Sequence, residues 1–130
     1  MIMTIPTLQL SEAIPPVEVR TGEQLDQLLD QLRPDSPIAV VLHAHGCQAH
    51  ILLGLKESFV YLDEVAPKRY FITIGDSGAN GVIGFHLLGQ HHTEFEQRHL
   101  IPSTTARRVL REFFDTGRRP ESVQWEEGWY

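Results

Sequence analysis

A succession of short β-type runs between Pro37 and Phe95 limits the fold of this chain more than any other feature. The gaps between the runs are too short for the crossover helices that parallel strands require. Consecutive runs are therefore predicted to pair as an antiparallel meander. The six runs, all rich in Val, Ile, Phe and Tyr, are Ile38–His45, Ala49–Leu55, Ser58–Glu64, Arg69–Ile74, Val82–Leu88 and His91–Phe95.

A helix is predicted before the sheet, over Thr21–Leu32. Thr21 and Gln24 have the spacing of a capping box, in which the hydroxyl accepts from the third amide and Gln24 reaches back. The pair Arg33-Pro34 ends the helix, because the residue before a proline avoids helical backbone angles. Four leucines recur at helical spacing and form one apolar face: Leu25, Leu28, Leu29 and Leu32.

A second helix, from about Ser103 to Thr116, is predicted after the sheet. Pro102 precedes it, Ser103 is expected to cap its start, and Gly117 suits the left-handed residue at its end. Its apolar stripe consists of Ala106, Val109, Leu110 and Phe113.

A short C-terminal strand completes the pattern. After Pro120, Val123 and Trp125 alternate with polar residues, so both side chains are predicted to face inward. The Trp125 ring is expected to belong to the core rather than to a contact surface. The predicted fold class is therefore α+β: an antiparallel meander sheet packed on one face by two helices, with a short C-terminal strand.

The chain is predicted to form one domain over residues 1–130, a length that can bury a core without cross-links. Residues 1–16 are expected to be a loosely ordered leader with a short strand around Thr7–Leu10. The single cysteine, Cys47, excludes an internal disulfide framework, and no apolar run approaches the roughly 20 residues of a membrane helix. Because the first ten residues lack the features of a secretory signal, we expect a soluble cytoplasmic protein.

The net charge of −6 is unevenly distributed along the chain. Residues 1–97 contain five basic and twelve acidic side chains, a net charge of −7, whereas residues 98–119 contain six arginines and two acids, a net charge of +4. The overall sign argues against a nucleic-acid binder. Two interpretations of the acidic segment remain, an ordinary solvated surface or a surface that attracts a basic protein partner.

Seven histidines raise the alternative of a metal site. His43 and His45 are two residues apart on a predicted strand and share a face, and His50 follows across a predicted hairpin. Three imidazoles can bind zinc with an open fourth position, but no Asp or Glu lies nearby in sequence to orient the rings. We therefore predict no metal and no cofactor, with a small His-ligated zinc protein or enzyme as an alternative.

No motif in the sequence predicts catalysis. The loop Gly75–Gly84 has a glycine at every third position, but it lacks the Gly-Lys-Ser/Thr of a phosphate loop and is followed by β-type sequence. Ser77 lacks the small-residue elbow of a hydrolase serine, and Cys47 is predicted to be an unreactive residue of an exposed turn. The chain is therefore predicted not to be an enzyme, and no residue is assigned a catalytic role.

The C-terminal third has the most distinctive pattern: Ile101-Pro102, Ala106 and Phe113, followed by the run Gly117–Glu127. A helix that ends in Phe and Gly, an Arg-Pro pair, and Val-x-Trp followed by acidic residues resembles the deaminase-associated immunity protein family of bacterial polymorphic toxin systems. The resemblance covers residues 17–127 and is specific over 101–127. The residues that match the family motif, all with an expected structural role, are Pro102, Phe113, Gly117, Arg119, Pro120, Val123 and Trp125.

The resemblance implies an immunity protein that binds and neutralises a cognate toxin without catalysing a reaction. The toxin would be a nucleic-acid deaminase-type effector, and an acidic binder that occludes its basic substrate groove would exclude the substrate. The implied partner is this toxin domain, with no direct contact to nucleic acid or membrane. From the acidic segment and the exposed glycine loop, the toxin-binding residues are predicted to be Glu57, Asp63, Glu64, Asp76 and Asn80.

A homodimeric interaction module without a toxin partner is a further alternative. In such a module the C-terminal Trp129 and Tyr130 would form the seam between the two copies. Neither this alternative nor the zinc protein accounts for the pattern over residues 101–127. A homo-oligomer is also compatible with an immunity protein.

Overall fold

The computed structural model describes residues 5–11, 14–32, 37–65, 68–75, 78, 80–87 and 91–128. It confirms the predicted α+β class. The helices are α1 (Gly22–Gln31) and α2 (Ser103–Thr116), with a 3-10 helix at Gln97–His99. The strands are β1 (Thr7–Gln9), β2 (Val17–Glu18), β3 (Ile38–Ala44), β4 (Cys47–Leu53), β5 (Glu57–Ser58), β6 (Val60–Val65), β7 (Lys68–Ile74), β8 (Val82–Leu87), β9 (His91–Glu96), β10 (Ile101–Pro102) and β11 (Gln124–Glu127).

Strands β3, β4, β6 and β7 form the antiparallel meander that the sequence predicts. The C-terminal strand β11 adds to the free edge of β7, where Trp125 lies opposite Thr73. The short strand expected around Thr7–Leu10 is present as β1, which pairs with β3 and buries Leu8 completely. Neither helix of the described residues is long and apolar enough to span a membrane.

Strands β8 and β9 do not continue the meander. They form a hairpin in which Phe85 lies opposite Thr93, and β8 pairs in parallel with the start of β3, where Ala39 lies opposite Leu87. This differs from the sequence prediction because β11 already occupies the outer edge of β7. The intervening strands supply the long connection that a parallel pair needs, so no crossover helix is required.

Strand β3 buries both of its faces. Val40 and Leu42 are fully buried toward the helices, in a cluster that includes Phe113 of α2. Ala39 points to the opposite face and belongs to a second cluster that contains Phe59. Because strand side chains alternate between faces, the run Ala-Val-Val-Leu supplies apolar contacts to both sides, as is typical of a strand covered on both faces.

Helix α1 begins as the capping box predicts. The Thr21 hydroxyl accepts a 3.1 Å hydrogen bond from the backbone N–H of Gln24. The Gln24 side chain reaches back one residue further than expected and accepts from the Arg20 backbone N–H at 2.7 Å. Leu25 and Leu29 then enter the core shared with β3, so the cap and the apolar stripe together fix the position of the helix.

Helix α2 begins without the predicted serine cap. Pro102 occupies the N-cap position and makes no side-chain hydrogen bond, and Ser103 is already helical. The backbone N–H of Ser103 instead donates to the Lys56 carbonyl at 2.9 Å, while Pro102 pairs with Glu57 between β10 and β5. The chain thus passes directly from a strand pair into the helix, and the sheet rather than a side chain satisfies its first donor.

Arginines of α2 form ion pairs with acids of α1. Arg107 Nη1 lies 2.6 Å from Asp30 Oδ1, and Arg111 Nη1 lies 2.6 Å from Asp26 Oδ2. Gly22 allows this approach, because a Cβ at its position would lie 1.9 Å from Arg111 Nε. Part of the arginine-rich charge recognised in the sequence is therefore neutralised between the two helices.

Substituting Gly117 with Ala should destabilise the protein more than the same change at Gly46. Both glycines have left-handed backbone angles, φ +75° and +73°, so each alanine costs about 1–2 kcal/mol in the free energy of unfolding. Only at Gly117 would the new Cβ also lie 3.0 Å from the His45 ring, which hydrogen-bonds the Phe114 carbonyl. Urea unfolding of both variants measures the difference, and equal losses would contradict this role of Gly117.

Candidate functional site

A cavity of about 390 Å³ lies on the sheet face opposite the helices, which we call the groove. Its floor consists of Phe59, Phe85 and Phe95. Phe59 comes from the segment before β6, whereas the other two belong to the β8–β9 hairpin. The groove therefore exists because the hairpin returns to β3 and packs its aromatic side chains against Phe59 and Tyr61 of the sheet face opposite the helices.

The aromatic floor is closely packed. The Phe59 ring centroid lies 4.5 Å from that of Phe95 and 5.3 Å from that of Phe85. Tyr61 and Tyr70, on the neighbouring strands β6 and β7, form the wall, with stacked rings whose centroids are 6.0 Å apart. These separations are typical of favourable aromatic pairs, so the rings give the groove a stable apolar interior.

The rim of the groove is polar, in contrast to its floor. It consists of Gln48, His50, Asp63, Thr93 and Glu94. Gln48 and Glu94 are exposed, and the other three side chains are partly buried. An apolar pocket with a few polar groups at its mouth is the usual form of a binding site in proteins.

His50 is the most deeply buried titratable group of the rim. Burial, together with the nearby His43, lowers the pKa of His50 to about 4. Its ring makes an edge contact with Tyr61, at 5.4 Å between centroids. His50 is therefore neutral at pH 7, and Asp63 contributes a carboxylate to the rim of the groove.

A lysine of the chain lies beside the groove. Lys68 Nζ is 5.7 Å from the centroid of the Tyr70 ring. A hydrogen bond and charge interaction with Tyr70, followed by the charge of Asp63, raise the pKa of Lys68. The electrostatic environment at this end of the groove thus favours a positive charge.

The predicted contact residues Asp63 and Glu64 lie on opposite faces of the sheet. Asp63 is part of the groove rim, whereas Glu64 Oε2 lies 3.7 Å from Arg119 Nη1 on the helix side. Adjacent residues of a strand point in opposite directions, and this rule separates them. The sequence alone could have revealed this alternation, which also places Tyr61 beside Asp63, but the predicted contact set omitted Tyr61, Tyr70 and Glu94.

Of the other predicted contact residues, those that the structure describes do not line the groove. Glu57 is exposed in β5, and Asn80 is exposed before β8. Asp76 lies outside the described residues, as do Ser77, Trp129, Tyr130 and the predicted helix stop Arg33-Pro34. The structure therefore brings one of the five predicted residues, Asp63, into the groove.

Comparison with known families identifies the chain. The family described as Immunity protein Imm1 matches residues 15–127. The chain belongs to the Imm1 immunity protein family. Its function is thus immunity against a toxin, and its partner is a cognate toxin protein. A search of curated proteins gave no significant match.

In this Imm1 chain, several residues of the sequence motif lie at or just after the end of α2. Gly117 ends the helix in the left-handed conformation, and Phe113 is buried beneath it. The Arg119 guanidinium lies 3.5 Å from the centroid of the Phe71 ring. Trp125 Nε1 donates to the Pro120 carbonyl at 2.8 Å.

Val123 and Trp125 complete this structural set. Both side chains are partly buried and pack against the core on the helix side. The expectation that Trp125 belongs to the core agrees with this position. Pro102, at the start of α2, likewise has a structural position, since it pairs with β5. The motif by which the sequence resembles immunity proteins therefore lies apart from the groove.

The histidines considered as zinc ligands have separate partners. His43 Nε2 lies 3.0 Å from Gln9 Oε1, and His45 Nε2 donates to the Phe114 carbonyl at 2.7 Å. His50 contacts Tyr61. In the part of the chain that the structure describes, no three His, Cys, Asp or Glu side chains are grouped as a metal site requires.

Cys47 is not in an exposed turn, as the sequence suggested, but is the partly buried first residue of β4. Burial, and then the charges of Glu64 and Asp63, raise the pKa of its thiol. A raised pKa disfavours the reactive thiolate. This position agrees with the unreactive role that the sequence predicts for Cys47.

The burial of His50 predicts a loss of stability in acid. Between pH 6.5 and 4 the unfolded chain binds a proton at His50 that the native protein does not, so the free energy of unfolding falls as the pH is lowered. The expected loss is about 3 kcal/mol. His50→Gln should remove most of this slope in urea unfolding, and His92→Gln, at an exposed site, should not. Equal slopes in the two variants would contradict the assignment.

Proposed function

We propose that the chain neutralises a toxin of the nucleic-acid deaminase type by covering its substrate groove with the sheet face opposite the helices. The observation that carries this proposal is the groove itself, an aromatic cavity with the Asp63 carboxylate at its rim. A toxin that holds nucleic acid needs a basic groove to attract phosphates. An acidic surface with apolar anchors is the complement of such a groove.

The helix face is a poorer candidate for this contact. Two of the three α2 arginines, Arg107 and Arg111, are already engaged in ion pairs with Asp30 and Asp26 of α1. Its apolar side chains are buried in the core that the helices share with the sheet. The sheet face opposite the helices retains both a cavity and acidic side chains for a partner.

Among the residues predicted from the sequence, we propose Asp63 as the central contact. It lies at the rim beside the aromatic wall, where a partner would exclude water and strengthen each charge interaction. Asp76 and Asn80, which precede β8 in the sequence, are proposed as peripheral contacts. Glu57 and Glu64 are proposed to contribute through the overall negative charge, which speeds association, rather than through the groove.

The proposal predicts that the complex cannot bind nucleic acid. The toxin domain encoded beside this gene should deaminate single-stranded DNA or RNA, and an equimolar amount of this protein should abolish both the deamination and the binding of a fluorescent oligonucleotide. Inhibition with oligonucleotide binding intact would exclude occlusion. A toxin that harms cells without deaminating nucleic acid would exclude the deaminase class, and immunity itself would remain.

Charge reversal tests the contact surface. Asp63→Lys should weaken rescue of growth and reduce toxin affinity by about 10- to 100-fold, because it places a cation against the toxin's basic groove. Glu121→Lys changes the net charge equally at an exposed turn between α2 and β11 and should leave affinity within about fivefold. Equal effects of the two substitutions, in proteins with unchanged unfolding curves, would contradict the placement of the contact.

A further inference from the structure

We infer that the open edge of β9 is a docking site for an extended segment of the toxin, which adds to the β8–β9 hairpin as a further strand beside the groove. The inference rests on the proposed function in taking the groove side of the molecule as the contact surface. Three observations support it: the unpaired edge of β9, the direction of its backbone groups, and the charge along it.

Strand β9 ends the sheet with an unpaired edge. Among the residues that the structure describes, this six-residue strand pairs with β8 alone. The strands at the other ends of the sheet are shorter, with two residues in β2 and four in β11. A row of unpaired N–H and carbonyl groups is a template for a strand of another chain, and strand addition is a recurring mode of protein recognition.

One hydrogen bond establishes which backbone groups of β9 point to the open edge. His86, which lies opposite His92, donates its N–H to the Pro37 carbonyl at 2.9 Å, on the side away from β9. His86 and His92 are therefore a pair without mutual backbone hydrogen bonds. Because bonded and non-bonded pairs alternate along an antiparallel ladder, His92 and Glu94 both direct their N–H and carbonyl groups to the open edge.

The side chains of β9 alternate between the groove and solvent. Thr93 and Phe95 face the groove, whereas the other face carries three exposed side chains. These are His92, Glu94 and Glu96. Glu94 nevertheless borders the groove, so its backbone lies where an added strand would begin. Opposed residues of neighbouring strands project to the same side, so every second side chain of an added strand would meet the apolar groove.

The charge of this edge selects the partner strand. Glu94 is exposed and, among the described residues, forms no ion pair and no side-chain hydrogen bond. Glu96 and Glu126 share the guanidinium group of Arg98, so carboxylates outnumber cations here. Pairing with β9 of a second copy would bring like charges together, which destabilises neighbouring strands. A toxin segment with Lys or Arg at alternate positions and apolar residues between them fits both faces instead.

Amide hydrogen exchange tests the site residue by residue. The full chain is followed by NMR, alone and with the toxin domain encoded beside this gene. In the free chain, the outward amides of His92 and Glu94 should exchange fast. The amides of Thr93 and Phe95, which point to β8, should exchange slowly. In the complex, exchange at His92 and Glu94 should slow by about tenfold or more.

Two results of the exchange measurement would overturn the inference. One is fast exchange at His92 and Glu94 in the toxin complex. The other is slow exchange that appears in the free chain as its concentration is raised, because this indicates that β9 pairs with a second copy.

A proline substitution separates the backbone of the edge from its charge. Glu94→Pro removes an N–H that the β8 ladder does not use, so the hairpin should persist, while toxin affinity should fall by about 10- to 100-fold. Glu94→Ala removes the same side chain but keeps the N–H, and should weaken binding by at most about fivefold. Equal affinities of the two variants would contradict strand addition. If urea unfolding shows that Glu94→Pro damages the fold, His92→Pro against His92→Ala makes the same comparison.

The oligonucleotide measurement separates this site from the proposed function. Slow exchange at the β9 edge in a complex that still binds the oligonucleotide would support strand addition and exclude occlusion. Loss of oligonucleotide binding with fast exchange at His92 and Glu94 would leave occlusion standing and exclude the strand site. Growth rescue by the wild-type chain is measured in parallel, and a toxin domain that the chain neither binds nor neutralises would contradict both.

Discussion

The fold depends on one strand, β3, which pairs with two different strands along the same edge. Its first residues pair in parallel with β8, whereas its later residues pair with β1. The other edge is fully paired with β4. This division places the β8–β9 hairpin beside the start of β3, and Phe85 and Phe95 pack in one cluster with Phe59.

A partly exposed carboxylate, Glu126, connects the far side of this arrangement. His99 is completely buried and its Nε2 lies 2.7 Å from Glu126 Oε2, while Arg98 Nη2 lies 2.7 Å from the same oxygen. These interactions connect the segment that follows β9 to the terminal strand β11. The pKa of Glu126 is lowered, first by Arg98 and then by His99, so the carboxylate is stabilised in its charged form. The hairpin is thus fixed at both ends, by β3 at one and by β11 at the other.

The sequence predicted those elements whose determinants are local. The leucine spacing and the Thr21 cap placed α1, and Gly117 placed the end of α2. It did not predict the return of β8, because two parallel residue pairs leave no periodic signal. Nor did it show that Arg107 reaches α1, a contact between residues 77 positions apart. For the groove, strand alternation separates Asp63 from Glu64, a rule that the predicted contact set did not apply, and only the tertiary position of the hairpin closes the cavity beside Asp63.

Neighbouring residues of the central sheet point to opposite faces, so their side chains have different surroundings. In β6, Leu62 is completely buried under the helices, whereas Asp63 opens onto the groove one position later. Substitution of Leu62 acts on the core, and substitution of Asp63 changes the lining of the groove that we propose as the toxin contact. The motif at the end of α2 belongs to the first kind of position. On the proposed contact surface, an exchange of alternate residues in a few strands would alter the partner while leaving the core and the motif at the end of α2 unchanged.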